Sequence, residues 1–348
     1  MKTKKKHIFD SWYFFNILLP FFIIWFCFAF YNDLFVTIPK NFFMSLTMAI
    51  GSFIAGATSE GGGAVAFPVM TIVFSIPPEI ARNFSLLIQS FGMTAASLTI
   101  IRHKIQIEWN TIKIGSLSGI VGFVIGALLI APNIVGVYAK LFFTSLWLSF
   151  GLVLWRLKKT KRSVFTKIKS FRIIDQYWLI FLAFIGGAIS SIIGSGIDIV
   201  IFSTLTLRYN LGEDIATPTS VILMSIISIF ASFFHCFILK DITFKEIEYI
   251  VACAPVVIIG APLGAWFISY KSRNFIAKLL IFILIIQYVG AIFTIQPGIN
   301  EIIFSFIIFF LGTFLFNLLA SSKGLIHKKY LKIDIFNTFK YSLRKEVF

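Results

Sequence analysis

The sequence predicts an all-α, polytopic membrane protein made of two inverted repeats, each containing a Gly-broken helix or re-entrant hairpin. Three observations carry that prediction. The chain has 348 residues, 58% of them hydrophobic and 13% charged, with a mean hydropathy of +0.92, which leaves too few polar residues to clothe a soluble fold of this size. Its apolar stretches are broken twice by small-residue segments that each carry one acid, Thr58-Ser59-Glu60-Gly61-Gly62-Gly63 with Pro68 following, and Ser191-Ile192-Ile193-Gly194-Ser195-Gly196-Ile197-Asp198. Its basic residues gather in the loops between apolar stretches, as the positive-inside rule requires.

Residues 1–40 comprise a basic tail, with Lys2, Lys4, Lys5 and Lys6, and a first span at about 13–31. That span ends in Tyr-Asn-Asp-Leu without a small-residue cleavage pattern, so it reads as retained rather than as a signal peptide. Residues 41–155 form membrane repeat 1. Apolar pieces at about 42–58 and 63–76 flank the glycine run and close at Pro77-Pro78-Glu79. Together they are too long for one straight span of about 20 residues and short for two, which suits a broken or re-entrant hairpin. Spans follow at about 83–101, 114–131 and 139–155. A basic linker, 156–176, leads to membrane repeat 2, 177–294, with pieces at about 177–193 and 196–207 around the break and spans at about 216–239, 249–269 and 275–294. Residues 295–348 hold a last span at about 301–320 and a basic tail.

Two further landmarks recur in the same order. Glu79-Ile80-Ala81 with Ser85 answers Asp214-Ile215-Ala216 with Ser220, and Gly122-Phe123-Val124-Ile125-Gly126-Ala127 answers Gly260-Ala261-Pro262-Leu263-Gly264-Ala265. An internal duplication explains all three. With the amino terminus inside and each hairpin counted as down and back, 26 of the 31 basic residues fall inside, leaving Lys40, Arg82, Lys140, Lys240 and Lys245 outside. Both termini are then cytoplasmic. The first repeat starts outside near Asn41 and the second inside near Tyr177, so the repeats are inverted, the plan that supports alternating access.

The net charge of +16 therefore belongs to membrane topology rather than to nucleic acid, which is not an expected partner. The 43 phenylalanines show no period-2 alternation, against an outer-membrane barrel. Cys27, Cys236 and Cys253 lie in apolar segments without metal-ligand or CxxC spacing, so neither a disulfide framework nor a metal site is indicated, and no cofactor is implied. His235 and His103 have no acid-nucleophile pattern beside them, and the chain reads as a non-enzyme.

Glycine-loosened chain inside a bilayer is tolerated only where it is buried in protein or lines a cavity, and paired breaks in two halves point to a transporter's binding site. Backbone N–H groups exposed at such breaks bind anions without a buried cation. The candidate substrate-binding residues are Ser59, Gly61, Gly62, Gly63, Gly194, Ser195 and Gly196, with the hydroxyls and amide of Ser85, Gln89, Thr219 and Ser220. The bland alternative is close helix packing, and it is the preferred reading for the Gly122 and Gly260 patterns. Glu60 and Asp198 are the carboxylates set deep in predicted spans, which makes them candidates for proton coupling; each could instead cap N–H groups at its own break. For Glu60 the two readings stand level. For Asp198, which follows the glycines where a first-turn acid belongs, capping is the nearer one. Pro68, Pro218, Pro255 and Pro262 are expected to kink their spans.

At these residues the chain resembles the TauE/SafE sulfite-exporter-like family of membrane transporters. The resemblance rests on Gly61-Gly62-Gly63 followed by Pro68, on the Pro78-Glu79-Ile80-Ala81 turn leading to Ser85, and on Ala216-Thr217-Pro218-Thr219-Ser220, and it covers residues 42–293. It implies a multi-pass plasma-membrane permease for a small anion, a sulfur-containing oxoanion or an organosulfonate, driven by a proton gradient. The expected partners are that anion and the lipid bilayer, with a homodimer as an open option. Two other classes remain open on sequence: a passive anion channel, and a membrane-embedded enzyme or accessory subunit, for which clustered His, Asp or Glu at one face would be the sign.

Overall fold

The computed structural model describes residues 11–58, 61, 63–134, 136–159, 164–168 and 172–321. Ser59, Glu60 and Gly62 therefore lie outside the described residues. Among those described, nine helices are long and apolar enough to cross a membrane, and the only strand-like pairing is an isolated bridge between Phe165 and Leu211. The chain is a multi-pass, all-α membrane protein.

A peripheral helix α1 (Ser11–Tyr31) precedes the first unit. That unit comprises α2 (Phe42–Ala57), the short α3 (Gly63–Pro68, continued as a π turn Val69–Val73), α4 (Pro78–Arg102), α5 (Trp109–Asn133) and α6 (Gly136–Lys159). The second unit comprises α7 (Ile173–Ile193), the short α8 (Ile197–Ser203, continued as a π turn Thr204–Arg208), α9 (Glu213–Leu239), α10 (Phe244–Ser269) and α11 (Arg273–Ile295). A peripheral α12 (Ile299–Ser321) ends the described chain. Pro218, Pro255 and Pro262 lie within continuous helices.

The two units share backbone landmarks. Left-handed residues recur in matched places: Gly61 and Gly194 at the breaks, Ser75 and Asn210 after the short helices, Lys104 and Lys240 after α4 and α9. Each short helix closes alike, with the Ile76 N–H donating to Met70 O at 2.9 Å and the Leu211 N–H donating to Leu205 O at 3.0 Å. The packing partners correspond too: α2 lies on α10 as α7 lies on α5, α4 packs against α9, and α6 against α11.

Each glycine break turns the chain back to the face it came from. Phe43 near the start of α2 meets Phe74 just past α3, ring centroids 4.4 Å apart. Asp175 in the first turn of α7 meets Arg208 at the end of α8, at 3.7 Å. Both broken segments are hairpins. The first opens beside the start of α4, and the second beside the end of α4, where the Ile168 N–H reaches the Glu108 carboxylate at 3.5 Å and Phe165 pairs with Leu211.

Two elements differ from the hydropathy reading. A short turn of helix at Leu34–Lys40 meets α2 at 75°; it is too brief for periodicity to reveal. Helix α4 begins at Pro78 rather than near residue 83, so Pro78-Glu79-Ile80-Ala81 is the first turn of a helix and not a loop. Proline at the first position is pre-set for helix and an acid there suits the dipole, but Glu79 and Arg82 depress hydropathy and hide the start.

The Gly122 and Gly260 patterns are packing features. A Cβ at Gly122 would overlap the Phe184 carbonyl of α7, and one at Gly264, the second glycine of the other pattern, would overlap the Phe53 carbonyl of α2, so each pattern brings two helix backbones into contact. Helices cannot part by a methyl group without losing neighbouring contacts. Gly122→Ala and Gly264→Ala are each expected to destabilise the protein by ~1–3 kcal/mol or more. Unchanged melting temperatures in detergent would refute this.

Candidate functional site

The two breaks meet against the middle of α4. Gly194 caps α7 in the left-handed region, φ 88°, its N–H donating to Ser190 O at 2.8 Å. The chain then folds back, and the Ile197 N–H donates to Ser190 Oγ at 2.9 Å. Asp198 Oδ1 accepts the N–H groups of Gly196 and Ile199, each at 3.0 Å, and the Ser195 hydroxyl donates to Oδ2 at 3.1 Å. Thus the second break directs its own N–H donors onto its own carboxylate.

The first break arrives from the other side. Gly61, φ 67°, lies so close that a side chain there would be 2.5 Å from both Asp198 Oδ2 and Gln89 Oε1 and 3.0 Å from Ser195 Oγ. Only glycine meets both the conformation and the space. Gln89, from the middle of α4, ties the breaks together: its Nε2 donates to Ser85 O at 2.8 Å and to Gly194 O at 2.6 Å, while its buried Oε1 has no hydrogen-bond partner among the described residues. With both N–H bonds committed, Oε1 is held as an acceptor. Ser85, whose hydroxyl donates to Ala81 O at 2.7 Å, lies against Gly194, where an added Cβ would come 2.7 Å from Ser85 Cβ.

The structure therefore brings together Gly61, Ser85, Gln89, Gly194, Ser195, Gly196 and Asp198, all buried. Gly63 starts α3 at the same break. Thr219 and Ser220 point elsewhere: Thr219 accepts the Glu108 N–H at 3.0 Å and Ser220 donates to Thr217 O at 2.9 Å within α9.

Two residues missing from the sequence candidates belong to the site. Ser190 receives the N–H that opens α8. Ser52 of α2 has a buried hydroxyl without a hydrogen-bond partner, and it lines, with Gln89, Met48 and Gly92, a cavity of about 10 Å³, about the room of one water. Its repeat with Ser45 two turns earlier on α2 was the available signal; nothing in it separated a lining hydroxyl from one that bonds the neighbouring helix, as Ser45 does to the Ala252 carbonyl of α10 at 2.7 Å.

The cation of Arg82, on the α4 turn that meets Gly194, is withdrawn from the breaks. An added Cβ at Gly194 would come 3.0 Å from the Arg82 carbonyl, yet the guanidinium turns to Asn83 Oδ1 at 3.0 Å and Asp241 Oδ2 at 3.5 Å. Asp241, in the α9–α10 loop, also faces His235 Nδ1 at 2.8 Å. Partial burial works to raise its carboxyl, but the hydrogen bond and charge of His235 and the charge of Arg82 prevail and hold it below the ordinary carboxylate range. A carboxyl lowered by folding stabilises the fold above its unfolded-state value, and that contribution disappears as pH falls through the folded value. Asp241→Asn, which removes the charge and keeps an acceptor oxygen at a partly exposed site where solvent screens the pair, is expected to lower stability at neutral pH by no more than about 1 kcal/mol and to flatten the acid limb of the profile. Superimposable melting curves of the two proteins from neutral pH to below the carboxylate range would exclude that role. Among the described residues no three of His, Cys, Asp and Glu converge as metal ligands.

A family model described as Sulfite exporter TauE/SafE matches residues 44–293, from the start of α2 to the end of α11. No curated protein and no solved structure matches the chain.

Proposed function

The chain belongs to the TauE/SafE sulfite exporter family, a family of membrane transporters, and on that premise we propose that it is a secondary carrier of a small anion, a sulfur-containing oxoanion or an organosulfonate. The observation that carries the proposal is the meeting of both glycine breaks at Gln89, in the buried middle of the bundle. Paired breaks on matched hairpins are the arrangement from which carriers build a substrate site. The anion is bound between the breaks by backbone N–H groups of the first hairpin and by Ser85 and Ser195, and by those of the second when Asp198 releases them. Glu60, Gly62 and Ser59 enter on sequence grounds alone.

Alternating access follows if the two units are inverted. That reading is supported by hairpins that open at opposite ends of α4, and by the bias of basic residues to one set of loops, which by the positive-inside rule favours both termini in the cytoplasm. Moving one hairpin against α4 would uncover the site from one side, with the Gln89 to Gly194 bond as the contact that changes. Asp198 is the proposed coupling group: protonated, it gives up the Gly196 and Ile199 N–H groups to the anion; ionised, it takes them back. A carrier of this kind makes no covalent intermediate and needs no catalytic residue.

The test is flux of labelled sulfite, sulfate and a small sulfonate in proteoliposomes, with and without an imposed pH gradient. Saturable flux of one anion, driven uphill by the gradient, is the expected result. Downhill flux indifferent to the gradient would replace the carrier by a channel or uniporter. No flux of any of the three would withdraw the substrate class.

A further inference from the structure

The bundle is incompletely packed at one seam. Between α6, α11 and α12 lies a cavity of about 330 Å³, walled by Leu148, Leu152 and Trp155 of α6, Ile281 and Ile285 of α11 and Phe309 of α12, with Gly151 at its floor. The space opens onto the outside of the bundle, where Trp155 and Ile285 are exposed, so it is an apolar groove deep enough to seat a chain from the surrounding bilayer. Its walls offer almost no polar surface.

Charge identifies which occupant. Trp155, a residue type that anchors at membrane interfaces, marks one end of the cavity, and Arg156, Lys158 and Lys159 follow it directly at the end of α6. Lys278 precedes Ile281 by one turn of α11, and both Arg156 and Lys278 are exposed. The three walls themselves offer no carboxylate at that rim: α6 and α11 contain no Asp or Glu, and the one acid of α12, Glu301, is in its first turn at the other end. The seam is thus apolar along its length and cationic at one rim. Basic rims between membrane helices recognise anionic headgroups. One wall, α12, also lies beyond the residues that the family model matches.

We propose that this seam is a specific site for an anionic phospholipid, with an acyl chain in the cavity and the phosphate held by Arg156 and Lys278. The lipid joins α12 to the repeats. It is independent of the transported anion.

Native mass spectrometry of the full-length protein, loaded with phosphatidylglycerol or with phosphatidylcholine of the same chains, tests it. One phosphatidylglycerol should be retained in preference to phosphatidylcholine. Ile285→Trp, which fills the cavity, should abolish that retention. Arg156→Gln and Lys278→Gln, on the surface and harmless to folding, should each lower phosphatidylglycerol occupancy about fivefold and leave phosphatidylcholine unchanged. Equal retention of the two lipids by the parent protein, or unchanged preference in the two glutamine variants, would overturn the proposal. So would a dimer that Ile285→Trp splits without loss of lipid, since the seam would then be a contact between copies.

Discussion

Gly194→Val is expected to eliminate anion flux while the protein still inserts and folds as a bundle. Three effects act together at this position. The backbone there is left-handed, φ 88°, a region that a β-branched residue avoids at ~1–2 kcal/mol or more. The added Cβ meets Ser85 Cβ at 2.7 Å and the Arg82 carbonyl at 3.0 Å, and neither belongs to a flexible side-chain end. Relief requires the break to move away from α4, which stretches the 2.6 Å bond from Gln89 to the Gly194 carbonyl. A site displaced by about 1 Å loses on the order of a hundredfold in rate. Flux should fall by at least that factor, with the helical spectrum retained. Gly61→Ala is the partner experiment, because its methyl group would lie 2.5 Å from both Asp198 Oδ2 and Gln89 Oε1. Parental flux in both variants would remove the anion site from the breaks.

Asp198→Asn separates two roles that the wild-type residue combines. Asparagine keeps an oxygen in the place of Oδ1, so in the empty site the N–H groups of Gly196 and Ile199 have a neutral acceptor that holds the break in shape and that an anion displaces as it displaces the protonated acid. What is lost is the ability to take up and release a proton. Uphill accumulation driven by a pH gradient should disappear, while exchange of labelled for unlabelled anion across the membrane continues within a few-fold of the parent. Asp198→Leu supplies the contrast: it leaves two buried donors unpartnered, at ~1–3 kcal/mol each, and should depress folding as well as transport. Gradient-driven accumulation that survives in Asp198→Asn would make Asp198 a cap and move the coupling proton to Glu60, for which Glu60→Gln is then the decisive variant.

The hairpins show where sequence was sufficient and where it was not. Their breaks were legible because glycine in a membrane-length apolar stretch is itself anomalous, and because the anomaly occurs twice in the same context. Asp198 was legible as an acid after the glycines, and it caps the N–H groups of its own break. Gln89 was only one polar residue among several on α4. Its particular importance comes from the distance between Gln89 and Gly194, 105 residues apart along the chain and 2.6 Å apart in space. Thr219 and Ser220 are chemically as plausible as Ser85, yet their hydroxyls serve the α5 start and the α9 backbone.

By itself, the sequence determined the membrane class, the number and order of apolar elements, and the two places where the chain must break. These are local properties: hydropathy over about 20 residues, and the freedom of glycine to adopt φ above zero. Only the tertiary structure decided that the breaks are hairpins, that Gly61 faces Asp198, and that Gln89 clamps them, while Arg82 turns away to Asp241. In water, a polar face tells which side of a helix looks outward; in lipid both the outward and the inward faces are apolar, so periodicity does not say which side chains converge. Helix packing decides that, through contacts such as Gly122 on Phe184 and Gly264 on Phe53.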